Sequence, residues 1–570
     1  MSAKITKISG PVVACDHSEL FAMGERVTVG ELALVGEVIR LSAVHAYIQV
    51  YEDTMDLKIG EPVASSGAAL LVELGPGLLS TIYDGIQRPL MTIKEQSGDL
   101  IGRGAAAEAL NRNRLWHFAP QHKVGVELQG GATLGTVKET DALVHKILIP
   151  PLVSGQLIHI VEEGEYCLED PVATLRTVNG EEQNLYLYQR WPVRTKRPVR
   201  LRMVPDLPLI TGQRIIDTLF PIAKGGTAAM PGGFGTGKTV TQHNLAKWCD
   251  ADVIIYIGCG ERGNEMTGVL SDFPNLVDPK TGHPLIERTV MIANTSNMPV
   301  AAREASIYTG ITIAEYFRDQ GLDVALMADS TSRWAEALRE ISGRLEEMPA
   351  EDGFPAYLPT RTAEFYERAG KVRTLNDEVG SVTSIGAVSP PGGDFSEPVT
   401  MHTQRFVKAF WVLDKILANA RFFPAIHPLE SYSEYGAELG SWWSDISIQW
   451  QQDRDQLMGL LMEAEKLKGI IRIMGEEGLS DHQRKVVMAE RIIKEGFLQQ
   501  SAFSPKDRYA SPEKQALMLQ LIMQRLRLMM DDPSPVAQVL EKFCLTDLIR
   551  LKDEVGSDET DKILSWQGSS

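Results

Sequence analysis

The stretch Gly232-Gly233-Phe234-Gly235-Thr236-Gly237-Lys238-Thr239 fits the spacing G-x-x-x-x-G-K-[ST] that cradles a polyphosphate. Glycines at these positions let successive backbone N–H groups turn inward around phosphate oxygens. Lys238 is then set to reach the β and γ oxygens, and the Thr239 hydroxyl to ligate Mg²⁺. Taken alone, the pattern also describes a glycine-rich surface loop. Its sequel separates the two readings: Val240 to Trp248 continues without Gly or Pro, with Leu245 and Trp248 on one face, so the loop opens a helix. Residues 232–240 are therefore read as a nucleoside triphosphate site.

Further candidates end apolar runs. Val253-Ile254-Ile255-Tyr256-Ile257, Val290-Met291-Ile292-Ala293 and Val324-Ala325-Leu326-Met327-Ala328 read as strands of a parallel sheet covered on both faces. Each gives way to polar residues, and in open α/β sheets ligands sit beyond the carboxyl ends of strands. Asp329 ends one run, where a P-loop enzyme places the carboxylate of its Mg²⁺ shell; by itself such an Asp also reads as a helix cap. Glu261 ends the strand after the P-loop helix, where a carboxylate orients and partly deprotonates an attacking water. Arg262, Glu265 and Arg333 flank the same edge, either offsetting phosphate charge and bridging to metal waters or forming an internal salt-bridge network.

A chain of 570 residues exceeds one core and implies several domains. Its 44% hydrophobic and 23% charged residues are those of an ordinary globular protein, and the net charge of −18 opposes nucleic-acid binding. A local basic strip, Arg194, Lys196, Arg197, Arg200 and Arg202, reads as a solvated or interdomain surface. Cys15, Cys167, Cys249, Cys259 and Cys544 form no C-x-x-C pair, which points to a reducing cytoplasm. No signal core and no apolar run long enough to span a bilayer appears, so any membrane role comes through partners.

The elements follow an order: an N-terminal β-barrel over 1–70, a lead-in over 71–110, a β-rich insert over 111–190, a P-loop α/β nucleotide-binding domain over 191–430 and a C-terminal helical domain over 431–570. The insert's glycine spacing is similar to a biotinyl or lipoyl carrier, but it has no Met-Lys or Asp-Lys hairpin tip to modify; a structural insert is the stronger reading. In the C-terminal part Leu457, Leu460, Leu461, Ala464 and Leu467 recur at helix spacing, Ser480 with Gln483 forms a capping box, a last helix is expected near Val539 to Leu551, and the tail after Ser557 reads as frayed.

The run from Gly258 to Thr267 (Gly-Cys-Gly-Glu-Arg-Gly-Asn-Glu-Met-Thr), the run from Ala293 to Tyr308, the run from Met327 to Arg339 and Ser389-Pro390-Pro391-Gly392-Gly393-Asp394-Phe395-Ser396-Glu397-Pro398 together resemble the catalytic A subunit of V-type and archaeal or bacterial A-type rotary ATPases. The resemblance covers nearly the whole chain, including the insert, which F-type β subunits lack. It implies that Lys238 and Thr239 bind phosphate and magnesium, Glu261 positions the hydrolytic water, Arg262 contacts the γ-phosphate and Asp329 holds the metal shell, supported by Glu265 and Arg333. Phe423, in Phe-Phe-Pro-Ala-Ile, and the segment Phe497 to Phe503, with Gln500 and Phe503, resemble the two sides of the adenine pocket; read without the family, both rings also suit plain core.

Two positions depart from the family. Thr236 stands where eukaryotic members carry a Cys, so thiol control is not expected. His427-Pro428-Leu429-Glu430-Ser431 replaces the Asn-Trp of many members. The resemblance further implies ATP or ADP as substrate with Mg²⁺, and a ring alternating with a non-catalytic B subunit that supplies an arginine finger. Central-stalk and peripheral-stalk subunits, an ion-translocating membrane sector moving H⁺ or Na⁺, and a place on the cytoplasmic face of a bacterial or archaeal membrane come with it, without nucleic acid. Two rivals remain: a nucleic-acid translocase, opposed by the acidic balance, and a non-catalytic regulatory subunit, opposed by the complete P-loop with Glu261.

Overall fold

Residues 3–98, 102–278, 281–542 and 547–563 are described by the computed structural model, except the side chains of 269, 270, 272, 540 and 541. They fall into two units: Met1–Val204 with Ala251–Pro390 and Asp394–Phe406, and Pro205–Asp250 with Pro391–Gly393 and Val407–Ser570.

The first unit begins with strands β1 (Ala3–Ser9), β2 (Val12–Cys15), β3 (Glu25–Val29), β4 (Leu34–Leu41), β5 (Ala46–Val50) and β6 (Pro62–Ala69), which close in the order β1-β2-β5-β4-β3-β6. The barrel expected from the sequence is thus present. Alternation drives it: Ile5, Val13, Val27, Val29, Val38, Ile48 and Val50 all point inward, each burial contributing about 1.5–3 kcal/mol. The insert is two four-stranded antiparallel sheets, one of Glu127–Leu128, Gly155–Ile160, Ala173–Thr177 and Glu182–Leu185, the other of Val144–Leu148, Thr133–Lys138, Trp116–Pro120 and Gly164–Tyr166. Buried His145 seats it, its Nδ1 lying 2.6 Å from Glu139 Oε2 and its Nε2 2.8 Å from Tyr316 Oη on helix Val300–Asp319.

The α/β part of this unit contains β7 (Ile82–Tyr83), β8 (Val253–Glu261), β9 (Thr289–Thr295), β10 (Asp323–Asp329) and β11 (Val379–Val388). They lie parallel in the order β7-β9-β8-β10-β11, with Gly370–Arg373 and Leu201–Met203 added antiparallel beside β11. Helices Val300–Asp319 and Thr331–Arg344 cover the sheet, so β8 to β10 are buried nearly throughout, as continuous apolar runs require.

In the second unit, strand Thr227–Pro231 pairs parallel with Ala409–Phe410, which pairs antiparallel with Tyr432–Ser433. The C-terminal helices Gly436–Ile446, Trp450–Met474, Asp481–Ile492 and Pro512–Asp531 follow. Leu457, Leu460, Leu461, Ala464 and Leu467 form the buried stripe, and Ser480 with Gln483 makes the capping box. The last expected helix is described in pieces, an α-helix over Val536–Lys542, a 3-10 turn over Asp547–Ile549 and a short α-helix over Leu551–Glu554, and residues 543–546 with Cys544 lie outside the described residues. Of the tail after Ser557, residues 561–563 are helical and 564–570 lie outside the described residues. Among the described residues no helix is long and apolar enough to cross a membrane.

The basic strip is mostly an ion-pair network. Arg194 donates from Nε to Glu37 Oε1 of the barrel at 2.8 Å and from Nη2 to Glu304 Oε2 of helix Val300–Asp319 at 2.7 Å. Arg197 donates from Nε to Asp319 Oδ2 at 2.6 Å, and Arg200 pairs with Asp377 at the surface. Arg194 keeps the buried Glu37 carboxyl below its ordinary value despite desolvation. Arg194→Met therefore strands two carboxylates and is expected to lower stability by about 3 kcal/mol, read as a drop in urea midpoint. An unchanged midpoint would show that the network does not tie the barrel down.

Candidate active site

In the second unit, strand Thr227–Pro231 leads into the glycine loop, and helix Lys238–Trp248 begins as the loop ends. Gly237 caps that helix at φ 86°, a left-handed conformation strained for any side chain, which leaves the first-turn N–H groups facing out of the helix end. Lys238 Nζ donates to the carbonyls of Gly232 at 2.6 Å and Gly233 at 3.1 Å, and Thr236 Oγ1 to Gly233 O at 2.9 Å. The ammonium is thus folded over the loop, where an anion would compete for it. A Cβ on Gly237 would lie 3.8 Å from Phe423 Cε1, so that ring borders the loop.

Phe423 is 46% and Phe503 95% exposed, which excludes the plain-core reading for both rings. The backbone N–H of Gln500 donates to Phe423 O at 2.8 Å, joining the two aromatic segments. The side chain of Gln500 is turned inward: Nε2 donates to Gly212 O at 2.7 Å and Oε1 accepts the Arg214 N–H at 2.9 Å. Gln500 is therefore a tie for this segment more than a group offered to a ligand. Phe234 and Val240 are exposed at the loop. The divergent His427 turns the chain by accepting the N–H groups of Leu429 and Glu430 at Nδ1.

In the first unit the carboxyl ends of β8 and β10 gather the predicted acids. Gly258 pairs with Asp329, and the register of β8 against β9 slips between Cys259 and Glu261. Gly260 makes this bulge at φ 71°, and a Cβ there would approach Arg333 Cβ to 2.7 Å and Arg303 Cδ to 3.0 Å. The bulge aims Glu261 off the end of the sheet, where its carbonyl accepts the Ser296 N–H at 2.8 Å. Asp329 is 1% exposed and takes a hydrogen bond at Oδ2 from Tyr256 Oη at 3.5 Å. Arg333, on helix Thr331–Arg344, forks onto Glu336, donating from Nη1 to Oε1 at 3.0 Å and Oε2 at 2.8 Å. Arg262 is exposed at the start of the following helix.

Electrostatics bind this cluster together. Burial, the Asp329 charge and a hydrogen bond to Glu265 push the Glu261 carboxyl up to about 8, with Arg333 opposing. Burial beside Asp329, Glu261 and Glu265 drives the Tyr256 hydroxyl upward too. Such a site holds a proton on one carboxyl near neutral pH and hands it on when a cation or a donor arrives, which is the equipment of a general base. Carboxylate oxygens are of the kind a hard divalent cation takes, although the ligand atoms of these three acids do not all converge within 4.8 Å of one another. The sequence reading missed Glu336 as the partner of Arg333, although their separation of three on a helix signals it. It also missed Tyr256 and Arg303, for which no sequence pattern gives notice.

Comparison with known proteins agrees with this arrangement. The nucleotide-binding domain of the ATP synthase alpha/beta family matches residues 212–433, its beta-barrel domain 5–67, its barrel-sandwich domain 107–194, and the C-terminal domain of V and A type ATP synthases 440–539. The A subunit of the A-type ATP synthase of Thermococcus sibiricus is 56% identical, covering 96% of this chain and 95% of that protein. Its counterpart in Methanopyrus kandleri is 54% identical over 99% and 96%, and the V-type ATP synthase alpha chain of Halothermothrix orenii 53% over 98% and 96%. The assembled ATPase EscN of an enteropathogenic E. coli type III secretion system shares the fold alone, at TM-score 0.66 and 22% identity, covering 91% of this chain and 100% of that one. With a glycine-rich loop opening a helix in one unit, a crowded carboxylate cluster in the other and relatives this similar over nearly its whole length, the chain belongs to the family of A-type ATP synthase A subunits and V-type alpha chains.

Proposed function

We propose that this chain is the catalytic subunit of a rotary ATPase or ATP synthase, in which Glu261 aims and deprotonates the water that attacks the γ-phosphate of ATP. The observation that carries this reading is the raised Glu261 carboxyl at the end of β8, crowded by Asp329 and Glu265. Lys238 and the N–H groups of Gly232 to Val240 hold the phosphates, Arg262 meets the γ-phosphate, and Phe423 and Phe503 flank adenine. Mg²⁺ would be held by Thr239 and the Asp329 shell with Glu265, and would supply neutralisation of the triphosphate's charge. The crowded negative charge of the carboxylates supports that fit. Arg333, anchored by Glu336, limits the net negative charge that a triphosphate must approach.

An arginine acting in trans completes the chemistry in this reading, supplied by a non-catalytic B subunit that alternates with this chain in a hexameric ring. Central and peripheral stalks then link the ring to an ion-translocating sector, placing the chain at the cytoplasmic face of a membrane. The net charge of −18 supports this over a nucleic-acid translocase.

Glu261→Gln in the assembled enzyme is expected to lower turnover roughly 10²- to 10⁴-fold while nucleotide affinity stays, measured by steady-state hydrolysis and nucleotide titration. Full activity would place the base elsewhere. The wild-type log(kcat/KM) should rise with pH and level off above about 8, and the Gln variant should lose that inflection. The sign carries to stability. Because folding raises this carboxyl's pKa, its contribution is present in acid and lost as pH rises through about 8, so Glu261→Gln should gain thermal midpoint over wild type in alkali and least in acid. The isolated chain is expected to bind ATP but to hydrolyse it about 10³- to 10⁵-fold more slowly than the reconstituted ring. Equal rates would remove the trans arginine from the account.

A further inference from the structure

We propose that the fully buried pair Arg214–Asp507 is a positioning device for adenine recognition, setting the segment that carries Gln500 and Phe503 against Phe423. The inference rests on the assignment of these rings to the base. Both side chains are 0% exposed, and Arg214 Nη1 donates to Asp507 Oδ1 at 2.6 Å. Three further donors of Arg214 end on the same short segment: Nε on Phe497 O at 2.5 Å, Nη2 on Gln499 O at 2.8 Å and the backbone N–H on Gln500 Oε1 at 2.9 Å. Asp507 closes the far side, its Oδ2 accepting the Ser501 N–H at 2.6 Å.

Between these anchors the chain turns out to Phe503, whose N–H donates to Ser501 Oγ at 3.4 Å and whose ring stands in solvent. Gln500 transmits the setting across the gap by donating its backbone N–H to Phe423 O at 2.8 Å. A planar guanidinium satisfies these divergent acceptors from one fixed fork, and an ammonium on a flexible stem does not reproduce it. Neither Arg214 nor Asp507 belongs to the phosphate loop or the carboxylate cluster. The pair therefore acts on where the base is gripped, leaving phosphate binding and chemistry alone.

The test uses the assembled enzyme with Arg214→Lys, and with Asp507→Asn, which keeps the volume of the carboxylate if the first variant fails to fold. Base-stacking losses of this kind correspond to about a 10-fold rise in KM for ATP, with kcat within about 2-fold and inhibition by inorganic tripolyphosphate unchanged. A general structural role would weaken ATP and tripolyphosphate together, and that result overturns the proposal, as does an unchanged KM for ATP in both variants. Phe423→Ala is the control for the underlying assignment. If it leaves the affinity for ATP intact, the adenine reading falls; if it weakens ATP while the Arg214 and Asp507 variants do not, only the positioning role falls.

Discussion

Carboxylate crowding at the carboxyl ends of β8 and β10 is the constraint around which this protein is built. Glu261, Asp329 and Glu265 share a partly dehydrated corner, and Arg333 is held in part by Glu336, so the negative charge is incompletely balanced. Like charges brought this close in a medium of reduced dielectric raise one another's affinity for protons. That corner is unfavourable for folding and, under the proposed mechanism, favourable for catalysis, because a cation that relieves the crowding frees the Glu261 carboxyl of its proton and leaves a base facing the water. Strain of this sort persists only where surrounding structure over-determines it.

The surroundings do so by burial and by charge. β8, β9 and β10 are apolar almost to their last residues, so they cannot slide without exposing Ile, Val and Met to water. The Gly260 bulge then turns Glu261 outward, packed against Arg333 and Arg303 so tightly that no larger residue fits. Farther out, Arg194 spans Glu37 of the barrel and Glu304 of the helix that covers the sheet, and His145 seats the insert on the same helix. These contacts explain why a barrel and an insert far from the chemistry share one unit with the carboxylates.

Much of this was legible in the sequence where local pattern and function coincide. The glycine spacing, read together with the Gly- and Pro-free stretch after it, placed Lys238 and Thr239 where the loop opens a helix. Continuous apolar runs located the strand ends and hence Glu261 and Asp329, and period-two alternation located the barrel. What stayed hidden depends on residues distant in sequence. Two glycines flank Cys259, and only pairing with β9 decides that Gly260 forms the bulge. Arg194 reads as one of several surface cations until Glu37 and Glu304 are brought to it. Gln500 reads as a ligand group, whereas the fold spends both ends of its amide on Gly212 and Arg214.

The most direct test is an electron cryomicroscopy map of the assembled complex trapped with a γ-phosphate analogue. The account predicts the phosphates seated on the N–H groups of residues 232–239, and the Glu261 carboxylate directed through a water at the terminal phosphorus. Nucleotide density away from that loop, or a Glu261 carboxylate turned from the phosphate in every closed site, would contradict it.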